Sequence, residues 1–254
     1  MPQNDILTRL VTLSQNLGDP LLDYAILGEG NTSARASAET FWVKASGAEL
    51  RTINAGGFVR VRFDRVLALL DAGDLSDTEV KAGLEAARID PAAQARPSVE
   101  TVLHALALQL EGVDFVGHTH PTAVNAVLCS QKAEEAISGR LFPDEIVVCG
   151  PAPVYIPYTD PGIPLARAVR DAIGKHIAAH REIPKVILMQ NHGLIALGRT
   201  TQEVENITAM YVKTARVILG AYTLGGPHFM SAAAVARIHT RPDELYRRRE
   251  LESQ

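Results

Sequence analysis

Residues 185–198 read KVILMQNHGLIALG. An apolar run over 185–190 meets the turn Asn191-His192-Gly193, and a second run, Leu194–Leu197, follows. Two apolar runs joined this tightly predict a hairpin, and a hairpin implies antiparallel pairing. His192 is thereby placed at the end of a sheet. Upstream, Phe115–His120 is a second short apolar run, and it ends in His118-Thr119-His120-Pro121. Side chains two apart on a strand project from one face, so His118 and His120 are close enough to share one ion.

Strands and helices interleave on both sides of these runs. Thr32–Arg35 and Thr40–Lys44 read as strands around a polar connection. Phe58–Phe63 reads as a half-buried strand, with Asp64 capping a short helix over Val66–Leu70. Glu145–Cys149 and Val154–Ile156 read as two more strands. Helical spacing marks Ile6, Leu10, Leu13 and Leu17, and again Val102, Leu103, Leu106 and Leu110. It also marks Leu165–His180 and a helix opened by Thr200 and Glu203, a capping-box pair, and ending near Gly220. Pro121 suits the first turn of a helix running to Leu128. Residues 71–97 are polar and Ala-rich, with helical potential, and are the expected excursion from the core. The segment from Thr240 is a charged tail expected to be loosely held. No repeat or linker divides the chain, so one α/β domain is expected, its core about 6–222.

The chain has 254 residues, 46% of them hydrophobic and 21% charged, which excludes a mostly disordered protein. Lys plus Arg number 25 against 29 Asp plus Glu, a net charge of −4. That balance offers no bulk attraction for nucleic acid or anionic lipid, so any phosphate must be held locally. No apolar run approaches the length of a membrane span. The N-terminal MPQNDILTRL places acid and amide residues where a leader would have a basic region and an apolar run. Cys129 and Cys149 are expected to be reduced, semi-buried thiols of a cytoplasmic protein.

Two imidazoles from His118 and His120, with His192 as a third, leave an open fourth position. This is the donor set of a catalytic metal site, most simply for Zn²⁺. An H-x-H at a strand end, taken alone, is equally well a pair of ordinary polar residues. His104 reads as a core or interface histidine, while His176, His180, His228 and His239 read as surface or loop residues. Glu100, in Pro97-Ser98-Val99-Glu100, starts an apolar helix. It either balances the helix macrodipole or aims a carboxylate into the metal site; position alone favours the macrodipole. Gly28-Glu29-Gly30-Asn31 and Ser46-Gly47 are turns of the kind that also cradle anions. No nucleotide-binding glycine pattern is present.

In order along the chain, Gly30-Asn31-Thr32-Ser33-Ala34-Arg35, Lys44-Ala45-Ser46-Gly47, Ser98-Val99-Glu100, His118-Thr119-His120-Pro121 and Asn191-His192-Gly193 resemble the class II aldolase/adducin family, the zinc-dependent sugar-phosphate aldolases. The resemblance runs from about Gly28 to Gly198 and into the following helix. The long interval between Ser46 and Ser98 looks most like the aldolase portion of rhamnulose-phosphate aldolase/dehydrogenase fusions, here expected without the dehydrogenase portion.

The resemblance implies a three-layer α/β/α sandwich around a mainly antiparallel sheet. His118, His120 and His192 would hold Zn²⁺ or another divalent metal, with Glu100 as the acid/base. Asn31, Ser46, Gly47 and Ser98 would bind a substrate phosphate. Tyr158 would act as a proton donor in a neighbouring subunit's site within a homotetramer. The implied reaction is aldol cleavage of a small-molecule ketose phosphate or related hydroxy-ketone through a metal-stabilised enediolate. Decarboxylases, dehydratases and, less closely, epimerases of the same superfamily share that chemistry. Adducin's head domain resembles the same scaffold as an interaction module without the metal histidines. One departure stands out: fuculose-phosphate-type aldolases have a serine where this chain has Val99, which removes one phosphate donor.

Overall fold

The computed structural model describes residues 3–253, with side chains described from Asp5 to Arg247. Its strands are β1 (Asn31–Arg35), β2 (Thr40–Lys44), β3 (Phe58–Arg62), β4 (Phe115–Thr119), β5 (Val154–Ile156), β6 (Val186–Met189) and β7 (Gly193–Gly198). Its helices are α1 (Gln3–Leu17), α2 (Phe63–Asp71), α3 (Asp77–Ala86), α4 (Thr101–Leu108), α5 (Thr122–Leu128), α6 (Ala133–Ala136), α7 (Pro143–Cys149), α8 (Ile163–His180), α9 (Thr201–Thr223), α10 (Ala232–Thr240) and α11 (Pro242–Ser253).

The strands form one seven-stranded sheet in the order β3-β2-β1-β4-β7-β6-β5. Every neighbouring pair is antiparallel except β5 and β6, which run parallel. The 185–198 hairpin is β6–β7, paired from Val186–Ala196 to Met189–Gly193.

Alternation along the strands builds two cores. Phe41, Val43, Val116, Ile187, Met189, Ile195 and Leu197 enter one face, where they meet α2, α3, α4 and α8 through residues such as Val66, Leu84, Leu103 and Val169. Ala34, Phe115, Val186, Leu188, Leu194 and Ala196 enter the other, against Leu10 and Leu13 of α1, Val127 of α5, Cys149 of α7 and Tyr211 of α9. Burial on both faces explains why these strands read as near-continuous apolar runs. The result is the expected α/β/α sandwich.

Several local expectations are corrected. Residues 145–149 are the end of helix α7, not a strand. Pro143 occupies its first turn with Asp144 and Glu145. Glu145 is buried, accepting from Arg140 at 2.8 Å and from the Leu141 N–H at 2.8 Å. Asp64 lies inside the first turn of α2, whose N-cap is Arg62. The 71–97 segment returns to the core through Val80 and Leu84 of α3, which Ser76 opens with a capping box. The 240–253 region is helical, and Arg247 pairs with Asp144 of α7 at 2.7 Å. Cys149 is fully buried and Cys129 exposed, so neither is semi-buried. His176 is buried on α8 rather than at the surface. Among the described residues, no helix is long and apolar enough to cross a membrane.

Candidate metal centre and active site

The C-terminal end of β4 and the β6–β7 turn bring three histidines together. His118 lies in the middle of the sheet, paired with Asn31 of β1 on one side and Ile195 of β7 on the other. Its Nδ1–H donates to the Leu194 carbonyl at 3.0 Å, which turns Nε2 inward. The Nε2 atoms of His120 and His192 stand 3.0 and 3.2 Å from it. His192 reaches this point because Asn191 takes a left-handed conformation, φ 56°. Gly193 then passes against the rings: a Cβ there would lie 2.8 Å from His120 Cδ2 and 2.5 Å from the Thr119 carbonyl. Only glycine fits that approach.

Glu100, the N-cap of α4, makes no side-chain cap hydrogen bond. Its Oε1 lies 3.3 Å from both His118 Nε2 and His192 Nε2. The carboxylate therefore lies within the histidine cluster, at the start of α4. Burial opposes its charge, but the His118 charge and the hydrogen bonds to His118 and His192 hold its pKa well below the usual carboxylate range. Burial also opposes a charged His118, and Glu100 outweighs it and raises the His118 pKa. His120 moves the other way, down to about 3, through burial and the neighbouring His118 and His192.

This donor set fits a divalent cation. Three imidazole nitrogens converge on one point with a carboxylate oxygen beside two of them, and both are donor types that divalent cations take. Nitrogens held about 2.0–2.1 Å from one ion at tetrahedral angles stand roughly 3.4 Å apart, close to the spacings from His118 to its two neighbours. His118, His120 and His192 are also the one group of metal-competent side chains found among the described residues.

The residues expected to bind a phosphate gather beside Glu100. The Asn31 Nδ2 donates to Ser98 Oγ at 2.9 Å, and Asn31 Oδ1 is buried without a hydrogen-bond partner. A bridge between Ala45 and Pro97 sets the Ser46-Gly47 turn against the Ser98 segment, and the Ser46 N–H donates to the Arg96 carbonyl at 2.9 Å. Val99 is exposed. Tyr158 is not brought to the histidines. The residue is 60% exposed and its hydroxyl donates to Asp160 at 3.0 Å.

Two further residues near the site, Lys44 and His104, carry no role in it on the sequence alone. Lys44 is buried, and its Nζ donates to the carbonyls of Gly28 (3.2 Å) and Ala48 (2.5 Å). It ties together the two turns that flank the site; its place at the strand end, before Ser46-Gly47, was the available hint. His104, one turn beyond Glu100, is fully buried with Nδ1 2.7 Å from Ser33 Oγ. A cavity of about 390 Å³ opens beside His120, lined by Asp23, Ile26, Glu29, Asn125 and Cys129 among others.

Residues 9–219 match the model of the class II aldolase and adducin N-terminal domain. The chain belongs to this family. A Bacillus subtilis protein named as the uncharacterized oxidoreductase YuxG is 31% identical over 202 residues, covering 75% of this chain and 25% of that protein. The chain thus spans about a quarter of that relative's length. Among solved structures, the N-terminal class II aldolase domain of a conserved Thermoplasma acidophilum protein is 27% identical, with a TM-score of 0.66 over 83% of this chain and 92% of that one. An L-fuculose 1-phosphate aldolase superposes with a TM-score of 0.69 at 17% identity, over 92% and 94% of the two chains. At that identity the likeness speaks for the class II aldolase fold.

Proposed function

We propose that this class II aldolase family member is a metal-dependent lyase that cleaves and forms the C–C bond of a small hydroxy-ketone, such as a ketose phosphate. The observation that carries the reading is Glu100 Oε1 at 3.3 Å from both His118 Nε2 and His192 Nε2. A proton-transfer group and a cation-binding cluster then share one point. His118, His120 and His192 would hold the ion, which as a Lewis acid stabilises negative charge developing next to a carbonyl.

The chain's own residues supply the rest. Glu100, with Oε1 at 3.3 Å from the Nε2 atoms of two of those histidines, is placed to serve as the base. In the condensation direction it takes the proton from the carbon beside the ketone; in cleavage it returns that proton to the same carbon. Asn31, Ser46, Gly47 and Ser98 form the polar side on which a phosphate or comparable anion would rest. Tyr158, exposed on a loop stiffened by Pro157 and Pro161, would serve the aldehyde oxygen in the site of a neighbouring copy, within a homotetramer.

Val99 supports a second reading within the family. With an exposed apolar side chain beside Ser98 in place of one phosphate donor, the substrate can instead be an unphosphorylated hydroxy-ketoacid, whose decarboxylation needs the same charge stabilisation. One experiment separates the two. Purified, zinc-loaded protein is offered ketose 1-phosphates and hydroxy-ketoacids while aldehyde and CO₂ are followed together. Aldehyde release without CO₂ supports the lyase; CO₂ release alone replaces it with a decarboxylase.

A further inference from the structure

The turn over 28–31 touches a different part of the site with each residue. The Gly28 carbonyl accepts from Lys44, Gly30 packs against the His118 carbonyl, and Asn31 donates to Ser98. Glu29 faces His120, with Oε1 3.9 Å from Nδ1. Resting on the metal reading above, we propose that Glu29 is the outer partner of His120, a positioning residue that fixes which ring nitrogen faces the ion.

Glu29 is held for this task from two directions. Its N–H donates to the Ile26 carbonyl at 3.0 Å, and its Oε2 accepts from the Ile26 N–H at 3.1 Å. With Oε2 engaged, Oε1 is the oxygen directed at the imidazole. His120 is tied to the same loop by its own N–H, which donates to the Tyr24 carbonyl at 2.8 Å. A gap of 3.9 Å is closed by one bridging water or a small side-chain rotation, and the cavity beside His120 gives a water access.

The chemistry follows that of His118. There the Leu194 carbonyl accepts a hydrogen bond from Nδ1–H, which keeps the proton on that nitrogen and leaves Nε2 free to face inward. A carboxylate near His120 Nδ1 does the same and also makes the imidazole a better donor. The two histidines of the H-x-H pair are thus oriented by different groups, a backbone carbonyl for one and a carboxylate for the other. Because the carboxylate is a side chain, it is the partner a mutation can remove.

The test is zinc affinity by chelator competition, with the visible spectrum of the cobalt-substituted protein as a second readout. In Glu29→Gln the acceptor for the Ile26 N–H survives and the charge is lost. Affinity should fall about 10-fold, the lower end of the usual range for such partners, and the cobalt spectrum should shift. Glu29→Ala should fall further, and Glu29→Asp should recover part of the loss. His118→Ala, measured alongside, reports on the triad itself and should lose most of the ion. If His118→Ala loses the ion while Glu29→Gln and Glu29→Ala bind zinc as tightly as the parent, the proposal is overturned and the triad stands. Glu29 variants that lower only the melting temperature would make it a loop cap and overturn it equally. A parent chain that binds no zinc overturns the triad and this proposal with it.

Discussion

Asn31 and His118 face each other directly across the β1–β4 ladder, so the residue proposed to hold an anion and a residue proposed to hold the ion are set by one register. Gly30 makes that register reachable. Its φ is +70°, and a Cβ there would lie 2.7 Å from the His118 carbonyl.

Gly30→Ala should therefore destabilise the protein and disturb the site together. The left-handed backbone costs a non-glycine residue about 1–2 kcal/mol, and the contact with the His118 carbonyl adds to it. Thermal unfolding should show the loss. Gly28→Ala, where a Cβ meets nothing within 4 Å, should be far milder. Equal melting temperatures for the two variants would contradict the geometry.

Glu100→Gln should preserve fold and metal content while turnover falls by about 10²-fold or more, the usual scale for general acid–base catalysis. A variant that keeps its turnover but melts earlier would return Glu100 to the helix-dipole role, although α4 shows no side-chain cap bond from it.

His104 predicts an acid-sensitive core. Burial lowers its pKa from 6.5 to about 3, so the unfolded chain binds the proton that the folded chain refuses. Stability from this group is intact above pH 6.5 and is lost as pH falls from 6.5 towards 3, by about 1.4 kcal/mol per pH unit at the steepest. Urea unfolding of metal-free protein across that window should show the slope, and His104→Gln should reduce it by this group's share, leaving the part that His120, also lowered to about 3, contributes. An unchanged slope in the variant would place the acid sensitivity elsewhere.

Tyr158 is exposed, and its hydroxyl donates to Asp160 and to none of the three histidines. If it serves a neighbouring copy, inactive His118→Ala and inactive Tyr158→Phe chains should regain activity when mixed and reassembled, because some interfaces pair an intact triad with an intact tyrosine. Mixed chains that co-assemble and stay inactive would argue against a shared site, as would a monomer by light scattering.

Local periodicity carried much of this architecture. The apolar runs at 41–43, 186–189 and 194–197 alternate between two cores, and strand geometry alone places His118 and His120 on one face. Residues 145–149 show where periodicity fails. A short apolar run suits a buried strand and a buried helix alike; Pro143 and the buried Arg140–Glu145 pair decide for the helix. Position likewise favoured a dipole role for Glu100, since nothing local reports what a helix start faces.

The sequence by itself determined which residue types were present for chemistry and which strands would be buried. Tertiary structure alone decided that Glu100 meets His118 and His192, that Lys44 joins two turns, and that Glu29 faces His120. The physical reason is reach. Alternation and helical spacing are set by backbone geometry within a few residues, whereas His118 meets His192 across 74 positions. Such contacts exist only once the β4–β7 ladder has fixed its register.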